Sequence, residues 1–427
     1  MTMKYSDLSR NRLQEMLDEL QVQYKEVQSR NLSLDMSRGK PSDEQLNLSM
    51  DMLDCVRFKK DLISEDGTDC RNYGLLDGII ECRRLMANLT GTKPENVFMG
   101  GNASLNMMYI VISNAWTFGI NGGTPWSKLE TIKFLCPVPG YDRHFRICEA
   151  LGIEMISIPM TPQGPDMDEV EKWVTSDPMV KGMWCVPKYS NPDGVTYSDE
   201  TVRRLAAMKP AAEDFRIFWD NAYIVHHLDF ENRDELLNIH AECEKHGNQD
   251  MVLELVSTSK MVFPGAGICA LITSVHNLTE MKKIMNCELI SFDKLNQMRH
   301  VRFFHNVHGM EVHMMRHAEI VKPRFDICLE AFRELGELGI AHWTNPRGGY
   351  FISLYTLDGC AKRTVELCKE AGVVLTAAGA AFPYGIDPKD SHIRIAPTYP
   401  SVEKLKKACE VMVLCAKIAA LESMIDK

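Results

Sequence analysis

The central part of the sequence alternates short apolar runs with helical stretches, and this alternation is the feature that most limits the fold. Runs such as IKFLC (132–136) and GMWCV (182–186) contain little polar alternation. Such runs are typical of strands that helices cover on both faces. Strands that alternate with helices predict an α/β domain with a mostly parallel sheet.

Helical patterns flank this region at both ends of the chain. From Ser6 to about Ser29 apolar residues recur at helical spacing, and helices and strands alternate again after Cys328. A chain of 427 residues can bury the cores of two domains. We expect a large domain over residues 51–310 and a smaller α/β domain built from both termini, residues 1–50 and 311–427.

Composition argues against several classes of function. The formal net charge of −10 disfavours nucleic-acid binding, which needs clustered basic residues. No apolar run approaches the roughly 18 residues that span a bilayer, and the first residues contain no apolar signal-peptide core, so we expect a cytoplasmic protein without membrane contact. The 14 cysteines are scattered singly, and His313 and His317 lack acidic partners at a metal-site spacing. We predict reduced, mostly buried thiols and no metal.

One lysine lies in a turn of small residues, STSKMVFPGAG, from Ser257 to Gly267. Alone, Lys260 is most simply a solvated turn residue. The chain before it changes that interpretation, because Asp220 ends the apolar run RIFWD, Tyr223 follows three residues later, and Asn191 precedes both in SNPDG. An amide, a carboxylate, a phenol and a lysine in this order suit the binding of a cofactor that reacts with amines.

A short strand candidate, a glycine pair and a helical run follow one another from Asn96 to Trp116. This is the general form of a turn whose backbone N–H groups bind an anion. An ordinary strand-to-helix connection is the alternative.

With these segments in order, the chain resembles fold-type I pyridoxal-phosphate enzymes, and specifically the aspartate aminotransferase family, over nearly its whole length. The segments SRGKP, NYGLLDG, PGYDRHF and SNPDG are similar to a divergent bacterial subgroup of aspartate aminotransferases. The resemblance implies a large domain with a mostly parallel, seven-stranded sheet and a smaller α/β domain. It also implies pyridoxal 5'-phosphate bound to Lys260 as a Schiff base.

The resemblance assigns further cofactor-binding residues. Asp220 would keep the pyridine nitrogen protonated, Tyr223 and Asn191 would hydrogen-bond the phenolate oxygen, and Tyr141 would stack on the ring. Tyr73 would reach the phosphate from the partner subunit, which implies a homodimer with shared active sites. The other residues implied at the phosphate are Gly101, Asn102, Ala103, Ser104 and Ser257.

The resemblance also assigns the substrate site. Arg394, in SHIRIAP, would bind the α-carboxylate as a bidentate fork beside Asn191, which a lysine could not reproduce. One departure is that no arginine follows Lys260 to pair with the phosphate before Arg299. What takes its place is left open.

A second departure from the family concerns the residue that binds the distal substrate carboxylate, because no match to it is evident in the sequence. Arg38 and Gly39 lie on the segment that borders the substrate side chain in the family. We expect Arg38 to bind the distal carboxylate, with Lys294 and Arg299 as rivals.

The implied activity is ping-pong transamination between aspartate and 2-oxoglutarate, in which Lys260 moves the Cα proton. A broader or aromatic aminotransferase, or a lyase, would use the same cofactor on the same fold. A non-enzymatic sensor is disfavoured because the segment before SRGKP is too short for a typical DNA-binding module.

Overall fold

The computed structural model describes residues 3–426, and strands and helices are numbered here in chain order. The strands are β1 (Leu34–Asp35), β2 (Val97–Met99), β3 (Lys133–Val138), β4 (Glu154–Thr161), β5 (Gly164–Pro165), β6 (Val180–Cys185), β7 (Arg216–Asp220), β8 (Val252–Ser257), β9 (Cys269–Ile272), β10 (Ala341–Trp343), β11 (Ile352–Thr356), β12 (Val373–Val374) and β13 (His392–Ile395). The α-helices are α1 (Arg10–Ser29), α2 (Asp43–Asn47), α3 (Ile80–Thr90), α4 (Ser104–Phe118), α5 (Asp142–Ala150), α6 (Met167–Ser176), α7 (Asp199–Ala207), α8 (Ile239–His246), α9 (Val275–Glu288), α10 (Lys294–Phe304), α11 (Val307–Glu337), α12 (Ala361–Glu370) and α13 (Val402–Ile425).

The main sheet has the strand order β2-β9-β8-β7-β6-β3-β4-β5. Neighbours from β8 through β4 pair in parallel, whereas β9 is antiparallel to both β8 and β2. The prediction of a mostly parallel sheet is confirmed. Within the described residues the strands number eight rather than seven, because the chain turns back after β4 at Gly164 (φ 124) and adds the two-residue strand β5.

The apolar strands are buried because both faces of the sheet pack against side chains from the covering helices. Every residue of β6, β7 and β8 is buried. On one face, the Phe134 ring lies 5.6 Å from Trp184 and 5.7 Å from Phe218 between ring centroids. Leu135 and Met183 belong to the apolar core of the other face. This two-sided burial explains why the strand sequences show no polar alternation.

Segments from the two ends of the chain share a separate apolar core. β1 pairs in parallel with β12, and β10, β11 and β13 form an antiparallel sheet. The Tyr24 hydroxyl of α1 donates a hydrogen bond to the Leu367 carbonyl at 2.8 Å. The opening helix begins at Arg10 rather than Ser6, because Ser9 accepts a hydrogen bond from the Arg12 backbone N–H and caps the helix. The predicted domain limits stay a prediction.

The cysteines are present as free thiols, and all of them except Cys55 and Cys287 are buried. Among residues 3–426, no helix combines the length and apolar character that crossing a membrane requires.

Buried histidines make the stability of this fold dependent on pH. Burial lowers the pKa of His227, His317 and His392 to about 3, and that of His300 to about 4. Below the ordinary imidazole pKa near 6.5, the unfolded chain therefore binds protons that the folded chain does not. We expect the free energy of unfolding to fall as pH decreases from about 6.5 towards 4.

Chemical denaturation between pH 5 and 6.5 measures this dependence. His392→Asn should reduce the slope by about 1 kcal/mol per pH unit, since it removes one of these protonation sites. His246→Asn, at an exposed histidine of α8, serves as the control for the substitution itself. A slope for His392→Asn equal to that of the unsubstituted protein would contradict the prediction.

Candidate active site

The carboxyl ends of three neighbouring parallel strands bring predicted site residues to one edge of the sheet. Asp220 is the last residue of β7, and Ser257 is the last residue of β8. Asn191 follows β6, and Lys260 follows β8 by three residues. Loops at this edge of an open α/β sheet are the usual place for a ligand.

Asp220 is a buried carboxylate with one oxygen held and the other open. Its Oδ2 accepts a hydrogen bond from His144 Nε2 at 3.0 Å. Its Oδ1 is buried without a hydrogen-bond partner among the described residues. The His144 ring stacks on Trp184 with centroids 4.3 Å apart and planes 7° apart, which fixes its direction. The open oxygen suits an N–H donor from a ligand, because a buried unpaired acceptor is unfavourable.

Sequence reasoning missed His144. The signal was available, since this histidine lies three residues after Tyr141 in the PGYDRHF segment. Tyr141 is the N-cap residue of α5, and its ring lies edge-on to His144 with centroids 4.9 Å apart. Burial raises the pKa of Tyr141 to about 12. The first turn of α5 therefore delivers both rings to the Asp220 carboxylate.

The Lys260 amine lies beside Tyr223. Its Nζ is 5.0 Å from the centroid of the Tyr223 ring. Burial lowers the pKa of Lys260, while the charge of Asp220 acts in the opposite direction. Burial also raises the pKa of Tyr223 well above its ordinary value, with Tyr141 and Asp220 acting in the same direction. The phenol therefore remains a hydrogen-bond donor, and the amine is shifted towards its neutral, nucleophilic form.

The Arg394 side chain extends from β13 to this edge of the main sheet. Its Nη1 donates to Asp142 Oδ1 at 2.8 Å and approaches Asn191 Oδ1 at 3.4 Å. Its Nε is buried without a partner within residues 3–426. The guanidinium carbon lies 5.0 Å from the centroid of the Phe351 ring, and a Cβ on Gly39 would stand 2.4 Å from that ring. Gly39 is thus the residue that lets the N-terminal segment pack against the support of Arg394.

The glycine pair after β2 lies against the lysine turn. The Cys269 N–H donates to the Gly101 carbonyl at 2.8 Å, and Ser259 Oγ donates to the Asn102 carbonyl at 2.9 Å. Helix α4 follows directly, and its N-cap residue Ala103 has no side-chain acceptor for the first N–H groups. Free N–H groups at a helix N-terminus, together with the helix dipole, make this position a candidate anion site. Ser259, which the sequence interpretation passed over, links this site to Lys260.

Two predicted residues are not brought to this edge by contacts within the chain. Tyr73 is 81% exposed, and Arg38 is exposed directly after β1. The rival Lys294 is buried and donates to the Gly74 carbonyl at 2.8 Å and to Ser291 Oγ at 3.1 Å, with no carboxylate partner among the described residues. It therefore lies beside the segment that carries Tyr73. The assignment of a basic residue to the distal carboxylate of the substrate stays a prediction.

A family model described as aspartate amino-transferase matches residues 8–427. The chain belongs to the aspartate aminotransferase family. An aspartate aminotransferase from Corynebacterium glutamicum is 45% identical over 95% of this chain and 94% of that protein. This aminotransferase therefore aligns with a relative along almost its whole length.

Solved structures support the same assignment. The crystal structure of an aspartate transaminase from Corynebacterium glutamicum has a TM-score of 0.96 and 43% identity, covering 99% of this chain and 100% of that one. An α-aminoadipate aminotransferase from Thermus thermophilus, complexed with N-(5'-phosphopyridoxyl)-L-leucine, has a TM-score of 0.72 at 19% identity, covering 92% and 93% of the two chains. The second likeness is one of fold alone. The predicted fold class, the aminotransferase class and pyridoxal phosphate as the family cofactor are confirmed.

The residues of this aminotransferase fit that cofactor. The open Oδ1 of Asp220 matches the N–H of a protonated pyridine ring. The N-terminus of α4 offers donors to a phosphate, and Lys260 offers an amine shifted towards neutrality. Near the start of α4 this edge offers backbone N–H groups and hydroxyls, and what takes the place of the family's phosphate-pairing arginine stays open.

The proposed two-pronged binding of a carboxylate by the Arg394 guanidinium predicts the effect of replacing this residue by lysine. Arg394→Lys should lower kcat/KM for the amino acid substrate about 100-fold, because one ammonium cannot replace two parallel N–H donors to a carboxylate. Steady-state kinetics measure this change. Arg363→Lys is the matched control, since Arg363 makes a two-pronged contact with Glu422 away from this site. Equal effects of both substitutions would contradict the assignment of Arg394.

Proposed function

We propose that this aminotransferase moves the amino group of aspartate to 2-oxoglutarate in two half-reactions. The observation that carries the choice of aspartate is the 45% identical Corynebacterium relative, an aspartate aminotransferase that aligns over 95% of this chain. The buried Asp220 and Arg394, together with the half-buried Lys260, supply the chemistry that such a reaction needs. A broader or aromatic aminotransferase, or a lyase, remains the alternative.

Lys260 is the catalytic base in this proposal. Bound pyridoxal phosphate supplies a protonated ring that withdraws electrons from the substrate Cα. The Lys260 amine would take the proton from the substrate Cα as a general base and then give it up again as a general acid. Its shift towards the neutral form favours the first of these transfers, because a protonated amine cannot accept a proton.

Asp220, Tyr223 and Asn191 hold the cofactor ring. Asp220 keeps the pyridine nitrogen protonated through its open Oδ1 while His144 holds Oδ2. Tyr223 and Asn191 hydrogen-bond the phenolate oxygen, and Tyr141 lies against the ring. Because Asp220 acts on the ring nitrogen and Tyr223 and Asn191 act on the phenolate oxygen, the ring has one orientation in the site.

The phosphate is held by the segment before and at the start of α4, together with donors of the lysine turn. The helix dipole and the backbone N–H groups favour a dianion there. The residues proposed for this site are Gly101, Asn102, Ala103, Ser104 and Ser257, with Tyr73 from a second subunit.

A homodimer with shared active sites follows from the proposed role of Tyr73. This ring is 81% exposed in one chain, as expected of an aromatic residue that a partner covers. We also propose the domain limits 1–50 with 311–427, and 51–310, which agree with the shared apolar core of the two chain ends. A cytoplasmic location stays a prediction.

An absorbance spectrum of the purified protein tests the proposed reaction. We expect a visible band from the lysine-bound cofactor, and its loss when aspartate is added without an oxo acid. Lys260→Ala should abolish the band and turnover together, because both depend on the same amine.

Each other outcome points to a different function. If the band does not change with aspartate but is lost with aromatic amino donors, the substrate is an aromatic amino acid rather than aspartate. Release of an unsaturated or cleaved product would indicate a lyase. Absence of the band from the unsubstituted protein would overturn the proposal in favour of a sensor or structural role.

Arg38 is proposed to bind the distal carboxylate of the substrate, with Gly39 beside it. Arg38→Ala should lower kcat/KM for aspartate at least tenfold, because a charge-assisted contact is lost, and should leave an uncharged amino donor unaffected. Arg10→Ala, at an exposed arginine of α1, is the control. Unchanged aspartate turnover would exclude Arg38 and leave Lys294 and Arg299 to the same test.

A further inference from the structure

Side chains from distant parts of the chain hold the two peptide groups that directly follow the Cα of the proposed catalytic lysine. The Tyr350 hydroxyl donates to the Lys260 carbonyl at 3.2 Å. His313 Nε2 donates to the Met261 carbonyl at 2.7 Å. Tyr350 precedes β11 and His313 lies on α11, so two separate segments fix two consecutive peptide groups.

Gln45, on α2, joins these two anchors. Its Oε1 accepts from the Ser42 backbone N–H at 3.1 Å, which assigns the opposite side of the amide as the donor. The two N–H groups of Nε2 then point to the Tyr350 hydroxyl at 3.0 Å and to His317 Nδ1 at 3.0 Å. Gln45 is fully buried, and every polar group of its side chain is used.

These contacts settle the tautomers of both histidines. His317 Nδ1 accepts from Gln45, so its hydrogen is on Nε2. His313 Nε2 also carries a hydrogen, because it faces the Met261 carbonyl. The two Nε2 atoms lie 3.1 Å apart, and Ser49 Oγ lies 3.4 Å from that of His313. Burial lowers the pKa of His313, and lowers that of His317 to about 3, so both rings are neutral near pH 7.

We propose that Tyr350, Gln45, His317 and His313 are positioning residues that set the direction of the Lys260 side chain through its backbone. This inference rests on the proposed role of Lys260 as the catalytic base. None of the four is assigned to the cofactor or the substrate. Because the lysine side chain is long and flexible, the peptide groups at its base determine where the amine can reach.

The network also ties the lysine turn to the segments that form the second apolar core. Arg324, on α11, donates to Glu44 Oε2 at 2.8 Å and to the Pro400 carbonyl at 3.0 Å. Helix α2, with Gln45, is therefore clamped between α11 and the segment before α13. Movement of α2 would be transmitted to the Lys260 and Met261 peptides through one glutamine side chain.

Tyr350→Phe tests the inference, because it removes one hydroxyl and keeps the ring. We expect kcat to fall about tenfold with KM for aspartate within about twofold, since misplacement of the amine affects the proton transfer more than binding. We also expect a shift of about half a unit in the pH midpoint of the absorbance band of the lysine-bound cofactor. That spectral readout does not depend on turnover.

Tyr24→Phe is the matched control. Its hydroxyl is likewise buried and donates to a backbone carbonyl, that of Leu367, in the core formed by the chain ends. It should lower thermal stability to a similar extent and leave kcat and the spectral midpoint unchanged. If Tyr350→Phe behaves like Tyr24→Phe in both readouts, the inference is overturned.

Gln45→Met provides a second, independent variant that keeps length and burial but removes all three hydrogen bonds. It should reproduce the kcat loss and spectral shift of Tyr350→Phe, and the double variant should lose little more than either alone, because the residues act as one unit. Fully additive losses would contradict a shared network.

Lys260→Ala separates the two proposals. If it retains the band, the role of Lys260 fails and the positioning inference fails with it. If it loses the band while Tyr350→Phe and Gln45→Met match the control, only the positioning inference fails.

Discussion

Burying the Asp220 carboxylate costs free energy unless hydrogen bonds or a cationic partner compensate it. His144 supplies one hydrogen bond, and the stacking of its ring on Trp184 restricts the orientation of the imidazole. The second oxygen remains open at the edge of the sheet. The rest of the site is arranged around this one acceptor, because the Lys260 turn, Tyr223 and the loop of Asn191 all lie at the ends of neighbouring strands.

A parallel sheet makes this convergence possible. Residues separated by tens of positions in the sequence arrive at one edge because consecutive parallel strands all end on the same side. Arg394 arrives from a different sheet, and its contacts with Asn191 and Phe351 join the two cores of the molecule at the site. The proposed substrate site therefore lies where two apolar cores meet, and its geometry depends on how those cores pack.

The sequence was informative where chemistry needs a particular residue type in a particular order. Asp220, Tyr223 and Lys260 could be found because an aspartate after an apolar strand and a lysine in a small-residue turn are unusual together. His144 was missed although it lies in the PGYDRHF segment, and Ser259 was missed because only its hydrogen-bond partner reveals its role. For His313 and His317 the sequence analysis predicted only that they bind no metal, and the structure places both in the buried network next to the Lys260 turn.

The bounds of the strands and helices likewise include some that the sequence predicted and some that it missed. The apolar runs predicted the parallel core, because burial on both faces requires continuous apolar sequence. The eighth strand, β5, was missed because two residues paired at an edge leave no periodic pattern. Helix α1 begins at Arg10 and not at Ser6, where the apolar pattern starts, because the side chain of Ser9 caps the helix.

By itself, the sequence determined the fold class, because hydrophobic periodicity is a local property that a linear chain records. The reactive residues it only predicted, through the order of residue types and the family resemblance. Only the tertiary structure decided which oxygen of Asp220 is open, which nitrogen of His317 carries a hydrogen, and which side chains hold the peptides of Lys260 and Met261. Those facts depend on hydrogen-bond partners far apart in sequence. Their distances and directions exist only after the two cores have packed.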